Sequence, residues 1–171
     1  MRRFARHYRT GEPLPEDQLR RLLAARTFNQ GQTMVEYLAS ALIDLDMHLK
    51  PAAGDGFDID RFEQAELARI GMPAEIVMRH RPTHFQHVFA GAGYASAYYS
   101  YLWSEVLDAD AFAAFEETGD IFDAGVAKRL HDHVYAAGGT RDPAELYTAF
   151  RGRLPTPEGL LRRRGLSEDA A

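Results

Sequence analysis

The chain has 171 residues, 46% of them hydrophobic and 26% charged, with a formal net charge of -5. That composition suits one globular domain with its own core, and the acidic balance gives no electrostatic reason to expect nucleic acid. There are no cysteines, which excludes disulfide frameworks, thiolate nucleophiles and cysteine-ligated zinc. The basic start "MRRFARHYRT" is not followed by an apolar run, and no apolar stretch approaches the roughly 20 residues needed to span a bilayer. A soluble, cytoplasmic protein without a membrane partner is the expectation.

The apolar spacing is helical nearly throughout. "LPEDQLRRLLAAR" has Pro15 in its first turn, acids next, and Leu19, Leu22 and Leu23 on one face. "FNQGQTMVEYLASALIDLDMHL" repeats Met34, Leu38, Leu42 and Leu45 at helical spacing, with Tyr37 and Ala41 beside them. It predicts a long buried helix with the lone acids Asp44 and Asp46 near its end. "PAAGDGFD" is a loop, and "DIDRFEQAELARIGM" an amphipathic helix capped by Asp58 or Asp60. "GYASAYYSYLWSEVLDADAFAAFEETG" predicts one long helix or two in series, and "DAGVAKRLHDHVYAAGG" stops at Gly138 and Gly139. "RDPAELYTAFRGR" and "TPEGLLRRRG" close the chain, each with a proline near its start. No alternating strand pattern, hairpin signal or internal repeat is present. The predicted fold is all-α, a bundle of six or seven helices.

One stretch concentrates unusual chemistry. "FAGAGYASAYYSYLW" carries Tyr94, Tyr98, Tyr99, Tyr101 and Trp103 behind Gly91 and Gly93. At 100° per residue, Tyr94, Tyr98, Tyr101 and Glu105 share one helix face. Tyr99, Leu102 and Val106 fall on a more apolar neighbouring face and read as packing. Such a stripe is either core, its hydroxyls satisfied by backbone carbonyls, or the lining of a site. Phenols stay neutral at pH 7 and donate one hydrogen bond, which suits an oxyanion. Glycines before it allow close backbone approach to a ligand, or simply a turn.

The remaining polar residues say less. His80 and His84 have the spacing of a helical metal pair, but Pro82 lies between them and Arg81 stands where a zinc protease has its glutamate. His87 adjoins the glycine loop and is better placed to touch a ligand. His131 and His133 point apart on a helix and read as surface. Glu116 and Glu117 read as a solvated face, and Arg162, Arg163 and Arg164 as a favourable charge at a helix C-terminus.

Taken together, "FNQGQTMVEYLASALIDLDMHL", "FQHVFAGAGYASAYYSYLWSEVLDADAFAAFEETGDIFD", "GGTRDPAELYTAFRGR" and "LLRRRGL" resemble the C-terminal part of the M3 family of zinc metallopeptidases. That family includes peptidyl-dipeptidases, oligopeptidase A and thimet oligopeptidase. The resemblance runs from about Arg3 to Leu166, and the form of the loop from His87 to Tyr94 is most like the bacterial peptidyl-dipeptidase branch. It implies the following roles. His87 and Tyr101 are catalytic, stabilising the tetrahedral oxyanion formed when zinc-activated water attacks a peptide bond. Tyr94 and Tyr98 bind substrate, a short peptide, and Gly91 and Gly93 let the loop close. Ala97 stands where the family often has glycine.

The family's zinc motif, H-E-x-x-H with a later glutamate, occurs nowhere in the 171 residues. The resemblance therefore implies zinc in the full-length family but no zinc ligands in this chain, which is expected to be inactive alone. Its expected partner is the missing N-terminal part of the catalytic domain, and without it the chain is expected to self-associate. The alternative is a non-catalytic helical module binding a peptide or a protein.

Overall fold

The computed structural model describes residues 4–50 and 56–167. Its order is α1 (Glu16–Ala25), α2 (Gln30–Leu49), α3 (Ile59–Arg69), a short 3₁₀ turn (Gln86–Phe89), α4 (Ser100–Glu116), α5 (Ala124–Leu130), a π-helical turn (His131–Tyr135), α6 (Pro143–Arg151) and α7 (Glu158–Arg163). The fold is all-α, with seven α-helices among the described residues. The one β-type pairing among them is an isolated bridge between Arg6 and Pro13. Most of the loop "PAAGDGFD" lies outside the described residues.

Local signals set several boundaries. Asp58 caps α3 by accepting from the Arg61 N–H at 2.9 Å. Asp142 caps α6 through the Ala144 N–H, and Pro143 occupies the first turn, where its missing N–H costs nothing.

Two apolar clusters hold the helices. The first joins Ala114 of α4, Val126 of α5 and Tyr147 and Phe150 of α6, with Leu130 and Val134 against them. The second joins Ile43 of α2, Phe62 of α3 and Met78, with Met47 and Leu67 beside them. Helices α4 and α7 meet at Gly159. A Cβ there would meet the Ala109 backbone at 3.2 Å, so the absent side chain permits the contact.

The predicted faces are only partly the buried ones. In α1 only Leu19 is buried, while Leu22 and Leu23 are exposed. In α2 the buried residues are Ala39, Ser40, Ala41, Ile43 and Asp44; Met34, Leu38, Leu42 and Leu45 stay half-buried. Small side chains among the buried residues let neighbouring backbone approach, and the buried Asp44 carboxylate among them needs partners. Tyr99, read as packing, is 50% exposed. His133, read as surface, is half-buried within the π-helical turn.

Charges stitch α4 to the C-terminal helices. Asp110, buried in α4, accepts from the Tyr147 hydroxyl at 2.8 Å and from Arg153 at 2.6 Å, and lies 3.3 Å from Arg151 Nε. Arg151 also pairs with Glu117, so that residue is more than a solvated acid. Arg163 binds Asp108 at 2.7 Å and Arg164 binds Glu105. These arginines therefore bridge helices as well as sitting at the end of α7.

Burial first, then the bond to Asp110, raises the Tyr147 hydroxyl above the ordinary phenol range; burial also raises Tyr37 and Tyr98. The folded state thus holds these phenols neutral where the unfolded chain ionises them, near pH 10. Their contribution to stability is complete below that pH and is lost as pH rises toward the folded values. Thermal melts from pH 8 to 11 should show the midpoint falling above about pH 10, with a shallower fall in Tyr147→Phe.

Candidate functional site

The site lies where α2, the 3₁₀ turn and the start of α4 meet. Helix α4 begins only at Ser100, so Tyr94 and Tyr98 stand in turns ahead of it and not on its face. The chain nevertheless brings the predicted residues together around His87. The His87 ring lies 5.0 Å from Tyr94, 6.1 Å from Tyr98 and 6.1 Å from Tyr101, centroid to centroid. Tyr98 and Tyr101 make an edge contact at 5.4 Å. His80 stacks on Phe85, and both rings meet Tyr98 edge-on, which backs the wall from behind.

Glu105, the fourth member of the predicted stripe, is drawn away by Arg164. His80 and His84 do not form a metal pair: His80 packs on aromatic rings, and His84 is exposed.

The polar centre of the wall is one contact. The Tyr101 hydroxyl lies 3.3 Å from His87 Nε2. Tyr101 is 53% exposed and Tyr94 49%, so both residues are open to solvent. When His87 Nε2 carries the proton, it donates to the phenolic oxygen and leaves the Tyr101 O–H free to donate outward. When Nε2 is bare, it takes that donor for itself. The pair can therefore present a neutral donor to a developing negative charge, conditional on the histidine proton.

The loop before the tyrosines is open. Gly91 has φ +155°, a conformation side chains rarely adopt, and a Cβ at Gly91 or Gly93 would meet nothing within 4 Å. Gly93 does not share the positive φ, so its own backbone conformation does not require glycine.

Two residues that hold this wall were not picked out as site residues from sequence. Asp44, with no exposed side-chain surface, accepts from the backbone N–H groups of Ser96 at 3.1 Å and Tyr98 at 3.0 Å. Tyr37 stacks on Tyr98 at 5.2 Å, donates its hydroxyl to the Tyr98 carbonyl and accepts from the Leu102 N–H at 3.2 Å. An acid on the buried side of the apolar run "SALIDLDMHL", which carries Asp44 and Asp46, is the signal that could have found Asp44, because buried charge demands partners.

Comparison with known proteins bears on the family of the chain. The description "Peptidase family M3" matches residues 1–166. The chain belongs to peptidase family M3. It is 42% identical over 167 residues to a probable cytosolic oligopeptidase A of Arabidopsis thaliana, covering 95% of this chain and 24% of that protein. It is 37% identical to a dipeptidyl carboxypeptidase of Salmonella typhimurium, covering 96% and 24%. It is also 37% identical to oligopeptidase A of Escherichia coli, covering 94% and 23%. The chain thus spans about a quarter of the length of these relatives. The identities do not favour the peptidyl-dipeptidase branch over the oligopeptidase A branch.

Among the described residues, no group of three or more His, Cys, Asp or Glu could hold a metal ion. No described helix is long and apolar enough to cross a membrane.

Proposed function

We propose that this chain supplies the oxyanion-stabilising and substrate-facing wall of a peptidase that hydrolyses short peptides. The observation that carries the reading is the Tyr101 hydroxyl at 3.3 Å from His87 Nε2, with Tyr101 half open to solvent. In this reading Tyr101 and His87 donate to the oxygen of the tetrahedral intermediate. Tyr94 and Tyr98 line the peptide, and the loop of Gly91 and Gly93 closes over it. The metal-bearing part of the catalytic centre comes from residues outside these 171, and the protein acts in the cytoplasm.

Exposed apolar side chains support a covering partner. Phe122 is 83% exposed, Leu49 77%, Phe28 75% and Val77 73%. These side chains suit contact with the rest of an M3 catalytic domain.

The test is an assay of the purified chain on a chromogenic peptide in zinc buffer, alone and mixed with a polypeptide carrying the H-E-x-x-H portion of Escherichia coli oligopeptidase A. The chain alone should not cleave; the mixture should. Cleavage by the chain alone would overturn the divided centre. A mixture that assembles but stays inactive, beside a chain that still binds peptide, would favour the non-catalytic binding module.

A further inference from the structure

The tyrosine wall is built from segments with little regular structure of their own, yet its members meet. Something must fix them. The segment from Ala90 to Tyr99 is turns, and Ser96 sits at φ +58°, an unusual conformation for a residue with a side chain. Such a backbone persists only where its surroundings over-determine it.

The source of that constraint is α2. The Asp44 carboxylate spends one oxygen on the Ser96 N–H and the other on the Tyr98 N–H. His48, one turn further along α2, places Nδ1 2.9 Å from Asp44 Oδ1 and 2.8 Å from the Asp44 carbonyl. Both are acceptors, so that nitrogen carries the hydrogen. The His48 ring also lies 5.4 Å from Phe89, the last residue of the 3₁₀ turn that carries His87. One buried carboxylate therefore reaches both shoulders of the glycine loop: the far one directly, the near one through His48.

Tyr37, two turns earlier on α2, completes the frame. Its hydroxyl bridges the Tyr98 carbonyl and the Leu102 N–H, so it ties the last turn residue of the wall to the first turn of α4. That first turn carries Tyr101.

We infer that Asp44 and Tyr37 are positioning residues: from α2 they set Tyr98 and Tyr101 at their distance from His87, while the glycines between the two shoulders stay free to move. The inference rests on the roles proposed above for Tyr101 and His87. Its geometric content does not depend on peptidase activity. Buried carboxylate bonds to N–H groups are strong; asparagine keeps a single neutral acceptor oxygen, so one of the two bonds is lost and the other weakened.

The experiment is NMR on the isotope-labelled 171-residue chain and its Asp44→Asn and Tyr37→Phe variants. In Asp44→Asn the Ser96 and Tyr98 amides should exchange at least about tenfold faster. Ring-to-ring NOEs between His87 and Tyr98 or Tyr101 should weaken, while amides of α6 keep their protection. Unchanged exchange at Ser96 and Tyr98 with intact NOEs would overturn the proposal. Should Asp44→Asn lose protection throughout the chain, Tyr37→Phe decides, since it deletes one oxygen. Faster exchange at Leu102 with weakened Tyr101 NOEs supports the proposal, and no change overturns it. A peptide titration separates the two readings. Wild-type chain that binds no peptide counts against the proposed function and leaves the NMR result standing.

Discussion

Asp110→Ala should destabilise the chain by about 3–5 kcal/mol, because it strands the buried donors of Tyr147 and Arg151. The carboxylate is 3% exposed and receives Tyr147, Arg151 and Arg153. Arg151 is itself 9% exposed, so with Asp110 gone it keeps only Glu117, whose own side chain is 58% exposed. Removing one partner leaves charge in a poor solvent, which costs far more than the net worth of the pair. Asp110→Asn should be milder, since the amide oxygen still accepts one bond. Urea unfolding followed by circular dichroism measures both. A loss of less than about 1 kcal/mol in Asp110→Ala would mean that water replaces the carboxylate and that this network contributes little.

The same network explains a motif that sequence reading used only as a signature. In "RGR", Arg151 and Arg153 flank a helix stop, and both converge on Asp110, some 40 residues earlier in the chain. Arg163 and Arg164 likewise bind α4 across more than 50 residues. Helical spacing describes neighbours three or four apart and is silent about such pairs. It was legible that these segments are helices, that Asp58 or Asp60 caps one of them, and that the chain is all-α. It was not legible which acid each arginine would meet.

The start of α4 shows the same limit from another side. Periodicity runs smoothly through Tyr94, Tyr98 and Tyr101, and a helix would put them in one row. The structure reaches the same grouping by another route. Ser96 sits at φ +58°, outside helical geometry, and Asp44 takes the Ser96 and Tyr98 N–H groups there, so the helical run is broken at Ser96 and α4 begins at Ser100. The grouping of His87, Tyr94, Tyr98 and Tyr101 was readable from the family pattern. The device that holds it was not, because Asp44 and Tyr37 act across 52 to 65 residues.

Tyr101→Phe should lower kcat of the reconstituted peptidase by about 10²–10³, equivalent to roughly 3–4 kcal/mol, with KM nearly unchanged. The split follows from where the hydroxyl acts. A neutral phenol gains little from the ground-state carbonyl and much from the oxyanion, so its loss is felt in the transition state. The substitution keeps the ring, hence the 5.4 Å contact with Tyr98 and the 6.1 Å contact with His87, and the residue is half exposed, so stability should not change. His87→Ala should lower kcat as well, since it removes the ring that can donate to the phenolic oxygen and orient its proton. The double variant should lose less than the product of the two single losses if the pair acts as one donor unit. Steady-state kinetics of the four proteins closes the cycle. An unchanged kcat in Tyr101→Phe would remove the hydroxyl from the chemistry and leave the wall as a peptide-binding surface.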